Sequence, residues 1–387
     1  MGDHPLTIFI LAGDISGAQQ GAALARELLA RAPGLRLRGI GGDQMRQAGV
    51  ELVSDSASWS TIGVGDALRQ VPRLWPRLRQ LAALLRGDPP NLLVLIDFGV
   101  FNVRLAGLLE GSGIPVLYYF PPRSWSRRRW EGPLNRVVDL IAAPFPWCVD
   151  TMSGGKARVE WVGHPLVDQV RTSLSREQAA AKYGLDLARP IVALVPGSRE
   201  GEIRGMFPAM AEAARELSRR FPGLQLMVPV APSVARERLE QRLRGVGVRA
   251  LMLEGTDYDA LQLATAAAAT SGTVTLELAL LGIPAVVLYR VSYFSLVQFH
   301  LAQLIYGPIP YIAMPNIVAD RRVYPEFLQS HVNARLISHE LGRLLTEPEL
   351  AEKIVAGLAV VRERLGPPGA TARTAELALA LARGTCP

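Results

Sequence analysis

Short apolar runs recur along this chain at residues 6–12, 92–96, 115–119, 158–162, 191–195, 224–228, 250–253 and 285–288, with longer segments of helical spacing between them. Brief runs that are apolar throughout suit strands covered on both faces, as inside a parallel sheet. Their alternation with helices predicts an α/β fold. The alanine-rich stretch 264–269 reads as another buried strand. Gly163-His164-Pro165 closes the first series, and a polar stretch over 171–178 leads into a second. The expected architecture is two Rossmann-like domains, residues 1–167 and 168–365, and a C-terminal segment 366–387 whose helix packs across a domain or subunit surface. Such sheets bind ligands beyond the carboxyl ends of their strands, so the two domains are expected to face each other across a cleft.

Composition narrows the classes. A chain of 387 residues suits two domains, and 49% hydrophobic residues supply two cores. Cys148 and Cys386 lie far apart without Cys-x-x-Cys spacing, and the histidines are scattered, so neither a disulfide framework nor a metal site is expected, and no cofactor. The first residues carry no basic and apolar leader pattern, so a cytoplasmic location is expected. A net charge of +7, mostly arginine, favours an anionic substrate or an anionic membrane face. No motif that interleaves aromatic and basic residues points to nucleic acid.

Two stretches carry most of the chemistry. Val195-Pro196-Gly197-Ser198-Arg199 and Ser271-Gly272-Thr273-Val274-Thr275-Leu276-Glu277 each follow an apolar strand and open a helix. That arrangement aims unpaired backbone N–H groups and the positive end of a helix dipole at one point, where an anion can sit. Arg199 adds a fork of donors for phosphate oxygens, and Glu277, one turn into its helix, can accept hydrogen bonds from ribose hydroxyls. Together they suggest a cradle for a nucleoside diphosphate sugar. The plainer alternative is a pair of ordinary turns with a solvated Arg199. No Gly-Lys-Ser/Thr follows at either turn and no Gly-x-Gly-x-x-Gly follows the first strand, which disfavours a mononucleotide kinase or a dinucleotide oxidoreductase.

In the first half, Asp97 ends the apolar run 92–96, where α/β folds keep their chemistry. Partial burial there would raise its pKa toward general-base duty; the alternative is a cap for the next helix. Gly13-Asp14-Ile15-Ser16-Gly17 is a further glycine-rich turn into a helix.

In order along the chain, Gly-Asp-Ile-Ser-Gly, Ile-Asp-x-x-x-Phe-Asn, Gly-His-Pro, Pro-Gly-Ser-Arg, Ser-Gly-Thr-x-Thr-Leu-Glu, Tyr289-Arg290 and Met-Pro-Asn-Ile at 314–317 resemble the lipid-A-disaccharide synthases over nearly its whole length. The resemblance implies a glycosyltransferase B fold and inverting transfer of a diacylglucosamine from UDP to a diacylglucosamine 1-phosphate, without a metal. It implies an essential Asp at Asp97 and a phosphate-site Arg at Arg199. Nucleotide contacts would lie around Ser271 to Glu277, and an active-site Asn at Asn316. The candidate substrate-binding set is Asp14, Ser16, Gly17, His164, Gly197, Ser198, Arg199, Ser271, Gly272, Thr273, Glu277 and Asn316, with Asp97 catalytic.

Departures from the family pattern lie mostly in the first half. Asp14 stands where the family has Glu, Ala18 and Val100 stand at acidic positions, and 121–130 is arginine-rich. Alternative functions are a UDP-sugar 2-epimerase, another lipid-linked glycosyltransferase, or a nucleotide-sugar-binding protein without turnover.

Two regions suggest lipid. Residues 291–319 hold no Asp, Glu, Lys or Arg, but their prolines rule against a spanning helix. Residues 68–85 interleave apolar positions and Trp75 with arginines, as an interfacial segment would. Pro72 and Pro76 are expected to break any continuous helix there. Peripheral contact with the inner face of the cytoplasmic membrane is the corresponding expectation, against a helix whose apolar side faces the core. The expected partners are thus a UDP-activated acyl sugar and a lipid acceptor, with the oligomeric state open.

Overall fold

The computed structural model describes residues 6–13, 15–55, 67–129, 132–290 and 310–385. The apolar segment 293–305 singled out above lies outside the described residues. The chain divides into two compact units, Met1–Pro165 with Leu365–Pro387, and Leu166–Arg364.

The first unit is built on a sheet of seven strands in the order β3-β2-β1-β4-β5-β6-β7, every pairing parallel. These are β1 (Thr7–Ala12), β2 (Arg36–Gly41), β3 (Glu51–Asp55), β4 (Leu92–Ile96), β5 (Val116–Tyr119), β6 (Leu140–Ala143) and β7 (Arg158–Trp161). The central β4 is buried at every position, the reason its sequence is uniformly apolar.

The second unit carries six parallel strands in the order β10-β9-β8-β11-β12-β13. They are β8 (Ile191–Val195), β9 (Gln225–Val230), β10 (Leu251–Glu254), β11 (Ala266–Thr270), β12 (Ala285–Tyr289) and β13 (Glu326–Leu328). Each sheet thus runs outward from its first strand in one direction, then crosses back and continues in the other. Both have the doubly wound order of Rossmann-like folds.

The C-terminal helix Ala370–Ala382 belongs to the first unit, where Ala375, Ala378 and Leu379 join the core formed with β1, β4 and the helix Ile15–Arg31. Arg373 ties this helix down by donating to the carbonyls of Val162 (2.9 and 2.7 Å), Pro367 (2.9 Å) and Pro368 (2.8 Å).

One expectation is overturned. Residues 67–87 form a single helix in spite of Pro72 and Pro76. Leu78, Leu81, Ala82 and Leu85 bury one side of it, while Trp75, Pro76, Arg77 and Arg79 are exposed. The missing N–H of Pro76 frees a carbonyl one turn back, and on an exposed face water can satisfy it, so burial of the leucines holds the helix together. Arg79 lies over the Trp75 ring at 5.4 Å. Among the described residues no helix is long and apolar enough to cross a membrane.

Candidate functional site

In the second unit both predicted turns follow neighbouring strands. Val195 at the end of β8 is in register with Ala269 of β11, so Pro196 to Arg199 and Ser271 to Thr273 leave the sheet side by side. This is the crossover of the second sheet, the place where an α/β sheet leaves a crevice for ligand.

Gly197 takes a φ of +89°, and a Cβ there would lie 2.7 Å from Thr270 Oγ1 and 2.8 Å from Glu202 Oε2. The position therefore requires glycine for two reasons, its backbone angle and the closeness of β11. The turn delivers Arg199 to the N-cap of the long helix Glu200–Arg220. Its side chain is 78% exposed and, among the described residues, held by an ion pair to Glu202 at 3.0 Å, a contact a phosphate can replace. Arg204 (3.8 Å) and Arg238 pair with Glu200, so the carboxylates at this helix start are balanced by arginines. Ser198 is exposed and its carbonyl accepts from Ser233 at 3.0 Å.

On the second turn, Ser271 is fixed through its N–H to Leu288 O (2.9 Å) and its hydroxyl to Ile312 O (3.0 Å). Gly272 and Thr273 are exposed at the start of the helix Val274–Leu280, and the carbonyl of Gly272 accepts from Thr275 Oγ1 at 2.7 Å. Among the described residues nothing packs within 4 Å of a Cβ built on Gly272.

Glu277 lies deeper. Burial pushes its carboxyl up to about 7, partly offset by a hydrogen bond with Tyr258, and Oε2 is buried with no hydrogen-bond partner among the described residues. Burial first, and then the charge of Glu277, raises the Tyr258 phenol in turn. A buried acceptor left open beside a phosphate-type turn suits a ribose hydroxyl. Tyr289, at the end of β12, is raised first by burial and next by the charge of Glu202, with Arg199 opposing. Thr270, Glu202, Tyr258 and Tyr289 thus belong to this neighbourhood. Glu202 and Thr270 flank quoted motifs and were within reach of sequence reasoning; nothing marked Tyr258.

Asn316 departs from its expected place as an active-site contact. It is wholly buried, and its amide is saturated. Nδ2 donates to Tyr324 O (2.9 Å) and Glu326 Oε1 (2.8 Å), while Oδ1 accepts from the N–H groups of Val323 and Tyr324 (both 2.8 Å). Glu326 Oε1 also accepts from Ile312 N (3.0 Å) and Ala313 N (2.8 Å). With both donors and both lone pairs spent, Asn316 has nothing to offer a ligand. It braces the segment whose Ile312 carbonyl holds Ser271.

In the first unit the crossover falls between β1 and β4, where Ala12 is in register with Ile96. The turn after β1 and Asp97 after β4 are therefore neighbours. Asp14 lies outside the described residues; Ser16 is exposed and Gly17 buried in the first turn of the helix Ile15–Arg31. Asp97 is exposed, contrary to the partial burial expected of it, because the chain turns outward as soon as β4 ends. The N-cap of the following helix Gly99–Leu108 is Phe98, which puts Asp97 one residue outside the capping position. Val100 is 59% exposed in that helix's first turn.

His164, expected at the substrate, is buried with its ring 5.4 Å from Phe120 and 5.6 Å from Phe145, and its backbone N–H donates to Leu365 O at 2.8 Å. Burial lowers its pKa to about 3, so the ring is neutral at physiological pH and serves the packing around the end of β7. Among the described residues no group of three or more His, Cys, Asp or Glu could hold a metal ion.

A family model for lipid-A-disaccharide synthetase matches residues 8–374. A lipid-A-disaccharide synthase of Geobacter sulfurreducens is 39% identical over 373 residues, 96% of each chain. Among solved structures, the calicheamicin glycosyltransferase CalG4 superposes with a TM-score of 0.63 at 15% identity, covering 99% of this chain and 100% of that one. A UDP-GlcNAc 2-epimerase from Neisseria meningitidis bound to UDP-GlcNAc gives 0.61 at 12% identity, covering 97% and 100%. At such identities these two establish the glycosyltransferase B fold alone.

Proposed function

The chain belongs to the lipid-A-disaccharide synthase family, and from that premise we propose that it transfers an acylated glucosamine from UDP to a glucosamine-based lipid acceptor, with inversion. The second unit takes the UDP-sugar and the first unit the acceptor. One observation carries this reading: each sheet presents its candidate groups at its single crossover, phosphate-type groups in one unit and a carboxylate in the other.

In this reaction the acceptor hydroxyl oxygen attacks the anomeric carbon of the donor. Its proton passes to Asp97, and the bond to UDP breaks with the electron pair leaving on the diphosphate. Arg199 and the start of the helix Glu200–Arg220 stabilise the charge that develops there. The exposed setting of Asp97 leaves its carboxylate within reach of an acceptor hydroxyl. Glu277 receives the ribose.

The test is turnover of UDP-2,3-diacylglucosamine, alone and with 2,3-diacylglucosamine 1-phosphate, with products identified by mass spectrometry. Disaccharide and UDP should appear only with acceptor. Isomerisation of the donor without acceptor would favour an epimerase instead. Asp97→Asn should lower turnover by roughly 10²- to 10⁴-fold with UDP affinity unchanged; near-normal turnover would remove Asp97 as the base.

A lipid acceptor brings the protein to a membrane face, and the exposed side of the helix Ala67–Gly87, with Trp75 beside Arg77 and Arg79, is the surface we assign to that contact. Flotation with anionic vesicles should show salt-sensitive binding that Trp75→Ala with Arg79→Ala weakens. Equal binding by the double variant would move the contact elsewhere.

A further inference from the structure

Asp97 and Phe98 both adopt a left-handed backbone, each with φ of +48°. Asp tolerates that region through its short polar side chain, but for a bulky aromatic residue it is an outlier, and two in succession need outside support. Two buried side chains supply it. The Tyr118 hydroxyl donates to the Asp97 carbonyl at 2.5 Å, and Asn102 Nδ2 donates to the same carbonyl at 2.8 Å and to Ile96 O at 3.2 Å. Both residues have no exposed surface. The Asp97 N–H is anchored as well, to Tyr119 O at 3.1 Å. The peptide groups on either side of the Asp97 Cα are therefore fixed, and with them the direction of its Cα–Cβ bond.

Phe98 is accommodated from the other side. A Cβ on Gly13 would lie 2.4 Å from the Phe98 ring, so the ring occupies the space that only glycine leaves, and it packs on Phe101 with centroids 5.2 Å apart. An ordinary strand-to-helix turn requires none of this. A fold that spends two fully buried donors on the carbonyl of one exposed carboxylate residue is aiming that residue.

We propose that Tyr118 and Asn102 are positioning residues that set the direction of the Asp97 carboxylate, with Gly13 admitting the Phe98 ring that completes the turn. The inference rests on Asp97 being the base. Burial, and next the nearby charge of Asp97, raise the Tyr118 phenol well above its ordinary value, so the hydroxyl keeps its proton and remains a donor.

The test uses the full chain with the donor and acceptor named above. Tyr118→Phe keeps the ring and its packing and removes only the donor. Because displacement of a reacting group by about 1 Å costs on the order of 10²-fold, we expect kcat to fall roughly 10- to 100-fold, with KM for the donor and the UDP affinity unchanged. Asn102→Ala and Gly13→Ala should act in the same direction. In an Asp97→Asn background Tyr118→Phe should cost nothing further, because the group it aims is gone, whereas a role in the fold alone would give the same fractional loss in both backgrounds. Unchanged kcat in Tyr118→Phe, or equal losses in the two backgrounds, overturns the proposal. An inactive Asp97→Asn beside a fully active Tyr118→Phe leaves the base standing and removes only the clamp. Wild-type turnover in Asp97→Asn removes the base itself.

Discussion

Burial disfavours the charge of Glu277 in the free protein, and replacing it with Gln separates two effects that the fold combines. Its carboxyl titrates near 7 when folded against 4.5 in an open chain, and the cause is burial. Below about pH 4.5 both states hold the proton and the group contributes no pH dependence. Between about 4.5 and 7 the folded state holds the proton and the unfolded state has lost it, so stability falls as pH rises through that window and levels off above it. The full difference is worth about 3 kcal/mol. Glu277→Gln removes the slope, so without nucleotide the variant should equal wild type near pH 4.5 and exceed it by up to about 3 kcal/mol near pH 8. Urea denaturation across that range measures the difference. Nucleotide reverses the balance, because ribose hydroxyls donating to the carboxylate favour its charged form. UDP binding should then release a proton near neutral pH, seen by calorimetry in two buffers of different ionisation heat, and Glu277→Gln should abolish the release and weaken binding. Parallel stability curves for the two proteins, or UDP binding without proton release, would refute both the burial argument and the ribose assignment.

Arg199→Ala should leave unfolding stability nearly unchanged, since the pair with Glu202 is exposed and worth at most about 1 kcal/mol, yet should weaken UDP binding by roughly 1.5 to 3 kcal/mol on titration calorimetry. Unchanged affinity would take Arg199 out of the phosphate site. Asn316→Ala should do the opposite: it takes the side-chain partner from three buried backbone groups, at about 1 to 3 kcal/mol for each left unpaired, so the melting temperature should drop sharply. A variant of normal stability that no longer turns over would return Asn316 to the list of substrate contacts.

The sheets were legible where the chain is apolar on both faces, and β4 and β8 lie where their runs predicted. Of the strands that escaped notice, β6 passes that test and was overlooked because its apolar run, Leu-Ile-Ala-Ala, is only four residues long, whereas β2 and β3 fail it. In β2, Arg-Leu-Arg-Gly-Ile-Gly alternates with arginine, and β3 mixes Glu, Ser and Asp with its apolar residues. Both lie toward one edge of their sheet, where burial is incomplete and the sequence need not be apolar. A helix with its apolar side to the core was one reading of 67–87, but its continuity was missed because proline was weighed without its surroundings; the cost depends on whether the freed carbonyl meets water, which is a tertiary fact. Tyr118 was invisible for a related reason. It sits in an apolar run and reads as core, and only the register of β4 against β5 brings its hydroxyl to the carbonyl of Asp97.

Resemblance to a family marks which positions matter without saying how each acts, and the hydrogen-bond state of each side chain divides them. Arg199, Ser16, Thr273 and Asp97 are exposed at the strand ends, so a ligand can reach them. Asn316 and His164 stand in motifs just as specific, but they are buried, one with its amide fully spent and the other held neutral among aromatic rings. Replacing an exposed residue of the first kind removes a contact from a site whose shape survives. Replacing a buried one changes the shape, and its effect on turnover comes with an effect on stability. The departures from the family pattern at Val100 and Ala18 can be judged on the same scale. Val100 is 59% exposed in the first turn after Asp97, whereas Ala18 is 5% exposed and part of the core of the first unit. A change of side chain at Val100 therefore alters the exposed surface beside Asp97 and leaves the core intact, while the one at Ala18 alters packing beneath the turn.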